Sequence, residues 1–205
     1  MENPLIAAIQ QRVSANHFDP AHRIAPADIE RLAELATRAP TAFNLQNWRF
    51  IAVHTPDRKA RLRELAWGQA KVADAAATFI VVGALARADR LAERLQPSVA
   101  AGFMPAAMVP AWEGAARNLY DGQPRQQRDE AVRSAALGAS TLMLAAQALG
   151  LASCPMSGFD PAGVASEFGL APGELPVMLV AVGRAASGNW PQKPRRPLEQ
   201  VLELA

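Results

Sequence analysis

The sequence has 205 residues, of which 50% are hydrophobic, 21 are Lys or Arg and 19 are Asp or Glu. The net charge of +2 is close to neutral, so the composition lacks the concentrated basic surface that nucleic-acid-binding proteins carry. The apolar fraction excludes a disordered chain, and the single cysteine, Cys154, excludes a disulfide framework and favours a reducing compartment. A chain of this length buries about 70% of its unfolded surface, so we expect one domain over residues 1–205.

The first half of the chain predicts three helices and one strand. Their predicted bounds are helices over 5–13, 26–38 and 55–66 and a strand over 48–53. The third helix has the clearest start, because Thr55 offers a hydroxyl cap, Pro56 suits the first helical position and Asp57 places an acid in the first turn. The segment 41–46, which precedes the strand, is predicted to be irregular.

The second half predicts two buried strands and a long apolar helix. The predicted bounds are strands over 79–85 and 175–183 and helices over 128–149, 160–169 and 198–204. Residues 79–85 form a continuous apolar run, as expected of a strand that is covered on both faces. The helix over 128–149 is apolar almost all round, which predicts a central or subunit-interface helix. Residues 96–127, which contain four prolines and one helical piece over 112–119, are predicted to form an irregular lid or binding loop.

Strands that alternate with helices, together with a central apolar helix, predict one three-layer domain that mixes α and β structure. An uncharged stretch over 135–156 is long enough to cross a bilayer, but its polar residues and the breaks at Gly150 and Pro155 favour a buried helix. Residues 1–4 lack the basic start and apolar run of a secretory signal. We therefore expect a cytoplasmic protein that binds no membrane.

Common catalytic motifs are missing from the sequence. It contains no Walker A loop, no glycine fingerprint after a strand, no HExxH and no paired CxxC. The three histidines are scattered and are expected at the surface, so no metal site is predicted. Cys154 lies next to Pro155 without a nearby histidine in the sequence, and a small buried residue is a better interpretation than a nucleophile.

Four short segments place polar groups where a ligand could bind. They span residues 12–18, 39–50, 154–161 and 193–197. Arg12 and Ser14 could hold a phosphate through charge-assisted hydrogen bonds, although both are also ordinary residues at a helix end. Polar and aromatic residues before a strand often form a ligand rim, and backbone N–H groups after a strand end could bind a heterocycle. The basic tail segment is either part of a site or a solvated end.

Taken together and in this order, the four segments resemble the nitroreductase family of flavin mononucleotide (FMN) enzymes. The similarity extends over nearly the whole chain and is strongest in 39–50 and in 137–170, which reads LGASTLMLAAQALGLASCPMSGFDPAGVASEFGL. The resemblance implies a three-layer α/β/α fold of the α+β class, with a mixed, mainly antiparallel central sheet flanked by helices. It also implies a homodimer with FMN at the interface and a C-terminal tail that reaches the partner subunit.

The activity that the resemblance implies is that of an FMN-dependent oxidoreductase. Hydride would pass from NAD(P)H through flavin N5 to an electron-poor acceptor, such as a nitroaromatic, a quinone, an activated aldehyde or an enone, in a ping-pong mechanism. Because the flavin carries the hydride, no catalytic side chain is predicted. Two alternatives stay open. One is a flavin-binding relative with another role, such as reductive dehalogenation or use of the flavin as substrate, and the other is an interaction protein built on a similar core.

The resemblance also implies which residues contact the cofactor. The phosphate and ribityl chain would lie against Arg12, Val13, Ser14, Asn16, Lys193 and Arg195. The pyrimidine edge of the ring would lie near Gly68, Gln69 and Lys71, and the lysine would stabilise negative charge on the reduced flavin. Pro155 and Met156 would pack on the ring, and the backbone N–H groups of Ser157 and Gly158 would face flavin N5. Asn44 and Gln46 would line the cofactor site from the partner subunit.

The chain departs from the family's usual pattern at four of these or neighbouring positions. Family members often have basic residues at the positions of Val13 and Asn16. They often have an Asn at the position of Gly68 and a Pro at the position of Asn47. The first two departures remove positive charge near the phosphate, and Gly68 removes a side-chain contact to the ring. We expect these changes to affect the affinity and geometry of the cofactor more than the fold.

Overall fold

The computed structural model describes residues 3–205, which form eight α-helices and four β-strands. In chain order these are α1 (Pro4–Gln11), α2 (Pro26–Ala36), β1 (Trp48–Val53), α3 (Pro56–Leu65), α4 (Ala70–Asp74), β2 (Ala77–Ala84), α5 (Leu91–Ala100), α6 (Val109–Tyr120), α7 (Pro124–Ala148), β3 (Ala152–Met156), α8 (Pro161–Glu167) and β4 (Glu174–Gly183). Short 3-10 turns lie at Ala42–Asn44, Ala88–Arg90, Ala106–Met108 and Leu198–Gln200.

The four strands form one sheet in the order β1-β2-β4-β3, and every pairing between them is antiparallel. β2 and β4 are the central strands, with a bulge between Val81 and Val82. An isolated parallel bridge joins Ser14 to Ser153 of β3. The α+β class is confirmed, although the sheet itself is antiparallel throughout rather than mixed.

Both faces of the sheet are covered, because side chains of the central strands alternate between two apolar cores. Ile80 and Val82 of β2 belong to a first core, which they share with α3, α4 and α8. Phe79 and Val81 belong to a second core, which they share with α2 and α7. All four side chains are fully buried, and each burial contributes about 1.5–3 kcal/mol. The predicted three-layer arrangement is confirmed.

α7 is the long apolar helix that the sequence predicts, but it begins at Pro124 rather than at residue 128. Ala135, Ala139 and Ala146 are fully buried against the sheet, and their small size lets the helix lie close to the strands. Within residues 3–205, no helix is both long and apolar enough to cross a membrane. The uncharged stretch over 135–156 instead continues from α7 into β3.

Residues 96–127 are more regular than predicted, because their prolines are compatible with helices. Pro110 and Pro124 lie in the first turns of α6 and α7, where a missing N–H costs little, and Pro97 lies inside α5. The predicted helical piece over 112–119 is part of α6. α5 and α6 form a third, smaller core, whose fully buried residues include Leu91 and Leu95.

The shortest elements and one helix cap also differ from prediction. α4 and β3 have five residues each, too few for a periodic pattern. Thr55 makes no side-chain cap bond at α3, whereas Asp160 accepts the N–H of Ala162 at 3.0 Å at the start of α8. The helix predicted over 198–204 is a single 3-10 turn. Residues 1–2 lie outside the described part of the chain, so the prediction about a signal peptide is untested there.

Gly83 lets β2 approach the backbone of α7. A Cβ atom added at Gly83 would lie 2.5 Å from the carbonyl oxygen of Ala131. We expect Gly83→Ala to lower the free energy of unfolding by about 1–3 kcal/mol, because the strand and the helix must move apart. Urea unfolding followed by circular dichroism measures the change.

Gly114→Ala is the matched control, since Gly114 lies within α6 and a Cβ atom there meets nothing within 4 Å. The free energy of unfolding of this variant should be unchanged, or higher by up to about 1 kcal/mol, because alanine favours a helix. A Gly83→Ala variant as stable as the wild type would contradict the close approach of β2 and α7.

Candidate functional site

The segment that follows α1, residues 14–18, is held between the sheet and the C-terminal tail. The N–H of Ala15 donates to the carbonyl of Ser153 at 3.0 Å, and the N–H of Ala186 donates to the carbonyl of His17 at 3.1 Å. Ala15 is buried in the first core. These contacts fix the end of α1 beside both β3 and the start of the tail.

Asn189 joins the tail to this segment through both polar atoms of its side chain. Its Oδ1 accepts the N–H groups of Asn16 at 2.6 Å and His17 at 3.0 Å. Its Nδ2 donates to the carbonyls of His17 at 2.8 Å and Ala186 at 2.9 Å. The Asn189 side chain therefore determines where the tail begins relative to Asn16.

A cleft of about 120 Å³ lies between the segment and the tail. This tail cleft is lined by Val13, Ser14, Asn16, Trp190, Pro191, Gln192, Lys193 and Arg195. Arg195 donates to the carbonyl of Lys193 at 3.2 Å and to Oε1 of Gln192 at 3.0 Å. Within residues 3–205, neither Lys193 nor Arg195 pairs with a carboxylate. The positive charges of both side chains are therefore available to an anion in the tail cleft.

Arg12, at the end of α1, is tied to the same tail by its backbone. Nε2 of Gln192 donates to the carbonyl of Arg12 at 3.2 Å. Nη1 of Arg12 is buried and has no hydrogen-bond partner within the described residues. A buried donor without a partner costs about 1–3 kcal/mol, and more when the group is charged. An anionic oxygen of a ligand would satisfy this donor, although Arg12 itself is not among the residues that line the tail cleft.

α4 connects the segment to the loop that follows β3. Nζ of Lys71 donates to Oδ1 of Asn16 at 3.3 Å. Nε2 of Gln69 donates to the carbonyl of Gly158 at 2.6 Å. Gly68, with a φ of 78°, makes the turn before α4, and this left-handed conformation suits glycine. Residues 68–71 therefore contact both the segment after α1, at Asn16, and the loop after β3, at Gly158.

The end of β3 and the loop after it contribute four predicted residues with different exposures. Met156 is buried in the first core, whereas Pro155 is half-buried. Ser157 is exposed and Gly158 is half-buried, and both lie beyond the β3–β4 pairing, which ends at Met156. Cys154 is buried in the first core, which confirms its interpretation as a small core residue.

Asn44 and Gln46 are not among the residues that line the tail cleft. They flank Leu45, which belongs to the third core, at the 3-10 turn before β1. Both have positive φ angles, 53° and 47°. Such conformations cost on the order of 1–3 kcal/mol in non-glycine residues, less in asparagine than in most others, and they are found in clusters at functional sites. That they reach the site of a partner subunit stays a prediction.

Sequence reasoning missed three residues that shape the tail cleft. Asn189, Trp190 and Gln192 precede the basic segment that the sequence singled out. Their position next to that segment is a weak signal, because only the fold brings Asn189 to Asn16 and His17, more than 170 residues away. Asn47 stands where the family commonly has Pro, and its Nδ2 donates to the carbonyl of Ala84 at 2.8 Å.

The fold and the site together define a class of protein: a three-layer α+β domain in which the segment after α1 and the tail after β4 meet at a cleft lined by Lys193 and Arg195. The model of the Nitroreductase family matches residues 9–184 of the sequence. The chain therefore belongs to the nitroreductase family.

Individual relatives and solved structures are similar over most of the chain. The NADH dehydrogenase of Thermus thermophilus is 36% identical over 175 residues, which are 85% of this chain and 83% of that protein. A protein from Exiguobacterium sibiricum, crystallised in complex with FMN, has a TM-score of 0.90 at 27% identity. The alignment covers 100% of this chain and 99% of that protein's chain. CLA-ER, an enone reductase of gut-bacterial fatty acid saturation, has a TM-score of 0.85 at 25% identity with coverages of 100% and 99%.

Replacing Asn189 should loosen the segment against the tail. In Asn189→Ala the amides of Asn16 and His17 lose their common acceptor, so we expect their hydrogen exchange to become faster. Asn189→Asp is the matched control, because it keeps an acceptor for both amides and loses only the two donated bonds. Hydrogen-exchange mass spectrometry measures the effect, and unchanged protection in Asn189→Ala would show that other contacts hold the segment.

Proposed function

We propose that this chain is an FMN-dependent oxidoreductase that takes hydride from NADH or NADPH. The observation that carries the proposal is the buried Nη1 of Arg12, which has no partner within the described residues and lies at the end of α1, where the backbone meets the tail. A phosphate would satisfy this donor together with Lys193 and Arg195, because charge-assisted bonds to phosphate oxygens are strong. FMN ends in such a phosphate, and a protein of the same fold was crystallised with FMN.

The remaining predicted residues would hold the other parts of the cofactor. Ser14 and Asn16 line the tail cleft, and the Lys71 ammonium lies beside Asn16, where it can stabilise negative charge on the ring. The N–H groups of Ser157 and Gly158 would donate to the ring, and Pro155 would pack against it. Met156 supports this loop from the core, because its side chain is only 6% exposed.

When bound, FMN supplies the centre that accepts hydride from the nicotinamide and passes it to an electron-poor acceptor. The side chains of the site bind and orient the reactants, so no acid, base or nucleophile is required of them. We propose that nucleotide and acceptor occupy the same position in turn, which is a ping-pong mechanism. A nitroaromatic, a quinone, an activated aldehyde or an enone would be a suitable acceptor, and the enone reductase activity in the name of CLA-ER supports the last of these.

We further propose a homodimer of single-domain subunits, with the cofactor between them. Exposed apolar side chains support this proposal, since they would be covered by a second copy. These side chains are Leu5, Ile6 and Ile9 of α1, Leu137 of α7, and Leu198, Val201, Leu202 and Leu204 of the tail. Asn44 and Gln46 would then line the site of the partner. The buried, free Cys154 is consistent with the cytoplasmic location that we propose.

Purified protein loaded with FMN tests the proposed activity. We expect NADH or NADPH to bleach the flavin absorbance under anaerobic conditions and an added quinone or enone to restore it. Initial rates at several acceptor concentrations should give the parallel reciprocal plots of a ping-pong mechanism. Yellow protein that neither nucleotide bleaches would favour a flavin-binding relative with another role, and protein that never retains FMN would contradict the proposal.

The phosphate clamp is tested by removing its cations one at a time. We expect Arg12→Ala and Arg195→Ala each to weaken FMN binding at least about tenfold, because a charged donor contributes roughly 1.5–3 kcal/mol per bond. Arg125→Ala is the control, since the Arg125 side chain is 95% exposed at the start of α7. Fluorescence titration of the apoprotein with FMN measures the affinities. Full affinity in both clamp variants would place the phosphate elsewhere.

A further inference from the structure

A second cleft, larger than the tail cleft, lies along one face of α3. Its volume is about 430 Å³, which is within the range of about 300–1,000 Å³ for small-molecule sites. α3 contributes Lys59 and Arg63, one helical turn apart, and the segment before α2 contributes Arg23. Gly68 and Ala73 close the side towards α4. We call this the α3 cleft.

Three cations of the α3 cleft are bonded only to backbone carbonyls among the described residues. Nη1 of Arg23 donates to the carbonyl of Pro20 at 2.5 Å and to that of His22 at 3.2 Å. Nζ of Lys59 donates to the carbonyl of Ala75 at 2.7 Å, and Nε of Arg63 donates to the carbonyl of Gly68 at 3.1 Å. None of the three forms an ion pair with a carboxylate within residues 3–205.

The one carboxylate that lines the α3 cleft does not neutralise these cations. Glu64 pairs with Arg61 at 3.0 Å, and the side chain of Glu64 is 67% exposed. His54, which also lines the cleft, adds a further group that can donate to an anion. The α3 cleft therefore has an excess of positive charge.

Lys59 is the least ordinary of the three cations, because its side chain is almost completely enclosed. It is only 6% exposed, and one backbone carbonyl is its hydrogen-bond partner within the described residues. Burial and the nearby Arg23 charge lower the pKa of Lys59, while Asp74 raises it. A buried ammonium without a paired carboxylate is costly and is commonly found where a ligand or reaction requires it.

We propose that the α3 cleft is a second ligand site, which binds the phosphate group of a small organic phosphate ester on Arg23, Lys59 and Arg63. Three cations match the charge of close to −2 on a phosphate monoester better than the single charge of a carboxylate. Proline and alanine side chains line the rest of the cleft and leave room for an organic group of modest size. The α3 cleft and the tail cleft share no lining residue, but Gly68 lines the α3 cleft and is also predicted to lie near the flavin ring, so the test is made with FMN bound.

Phenyl phosphate added to FMN-loaded protein is a suitable probe, because FMN then occupies the tail cleft. Isothermal titration calorimetry should show one binding event, with benzoate, a smaller anion that carries the same phenyl group and a single charge, binding at least about tenfold more weakly. In ¹H–¹⁵N spectra the amides of Ala60 and Ala73 should shift on titration, because both residues line the α3 cleft and neither is predicted to contact FMN. Absence of binding, shifts confined to the tail cleft, or equal affinity for benzoate would each overturn the proposal.

Matched variants assign the binding to the cations. Lys59→Met removes the buried charge and should fold well, and Arg63→Gln changes an exposed side chain, so both remain measurable. Each should weaken phenyl phosphate binding at least about tenfold. Arg58→Gln is the control on the same helix, because Arg58 pairs with Glu167 at 2.8 Å outside the cleft.

A second control separates this site from the cofactor site. Arg195→Ala, which changes the tail cleft, should leave the affinity for phenyl phosphate unchanged if the protein is saturated with FMN. Unchanged binding in both Lys59→Met and Arg63→Gln would contradict the assignment, as would loss of binding in Arg195→Ala alone. Neither result bears on whether FMN binds, which the absorbance spectrum reports independently.

Discussion

The candidate cofactor site depends on the extended segment between α1 and α2. On one side its backbone pairs with β3, through the bridge between Ser14 and Ser153, and on the other side with the residues after β4, through the bridge between Phe18 and Ala185. Since β3 and β4 are neighbours in the sheet, this pairing brings the segment after α1 and the segment after β4 to one edge of the domain. Arg12 and the basic tail meet because of it, and within residues 3–205 no carboxylate pairs with Arg12, Lys193 or Arg195.

Both proposed sites use the same physical arrangement, which is positive charge enclosed by the fold and bonded at most to neutral groups. Nη1 of Arg12 is buried without a partner among the described residues, and Lys59 has a single carbonyl. Removing a cation from water without a paired anion opposes folding, so such positions persist where another function requires them. The two sites differ in construction. The tail cleft joins distant parts of the chain, whereas most of the α3 cleft is one helix face with short neighbouring segments.

Elements with a clear local signal were predictable from the sequence, whereas the five-residue elements and the proline-rich region were not. The bounds of β1 agree with the predicted strand over 48–53, because a run of apolar and aromatic residues between polar segments is a local signal. α4 and β3 are stabilised mainly by packing and by pairing with β4, which the local pattern does not contain. Residues 96–127 were predicted to be irregular because proline was interpreted as a helix breaker, whereas two of its four prolines lie in first helical turns.

The sequence by itself determined the α+β class, the family resemblance and the chemical character of the cofactor residues, because these follow from local patterns of residue type. Only the tertiary structure decided that Asn189 holds Asn16, that Lys71 contacts the same residue, and that Nη1 of Arg12 is buried. The same holds for the α3 cleft, since nothing in the sequence distinguishes Lys59 from an exposed helix lysine. Hydrogen bonds and desolvation act over a few ångströms in space, and the fold alone determines which residues come that close.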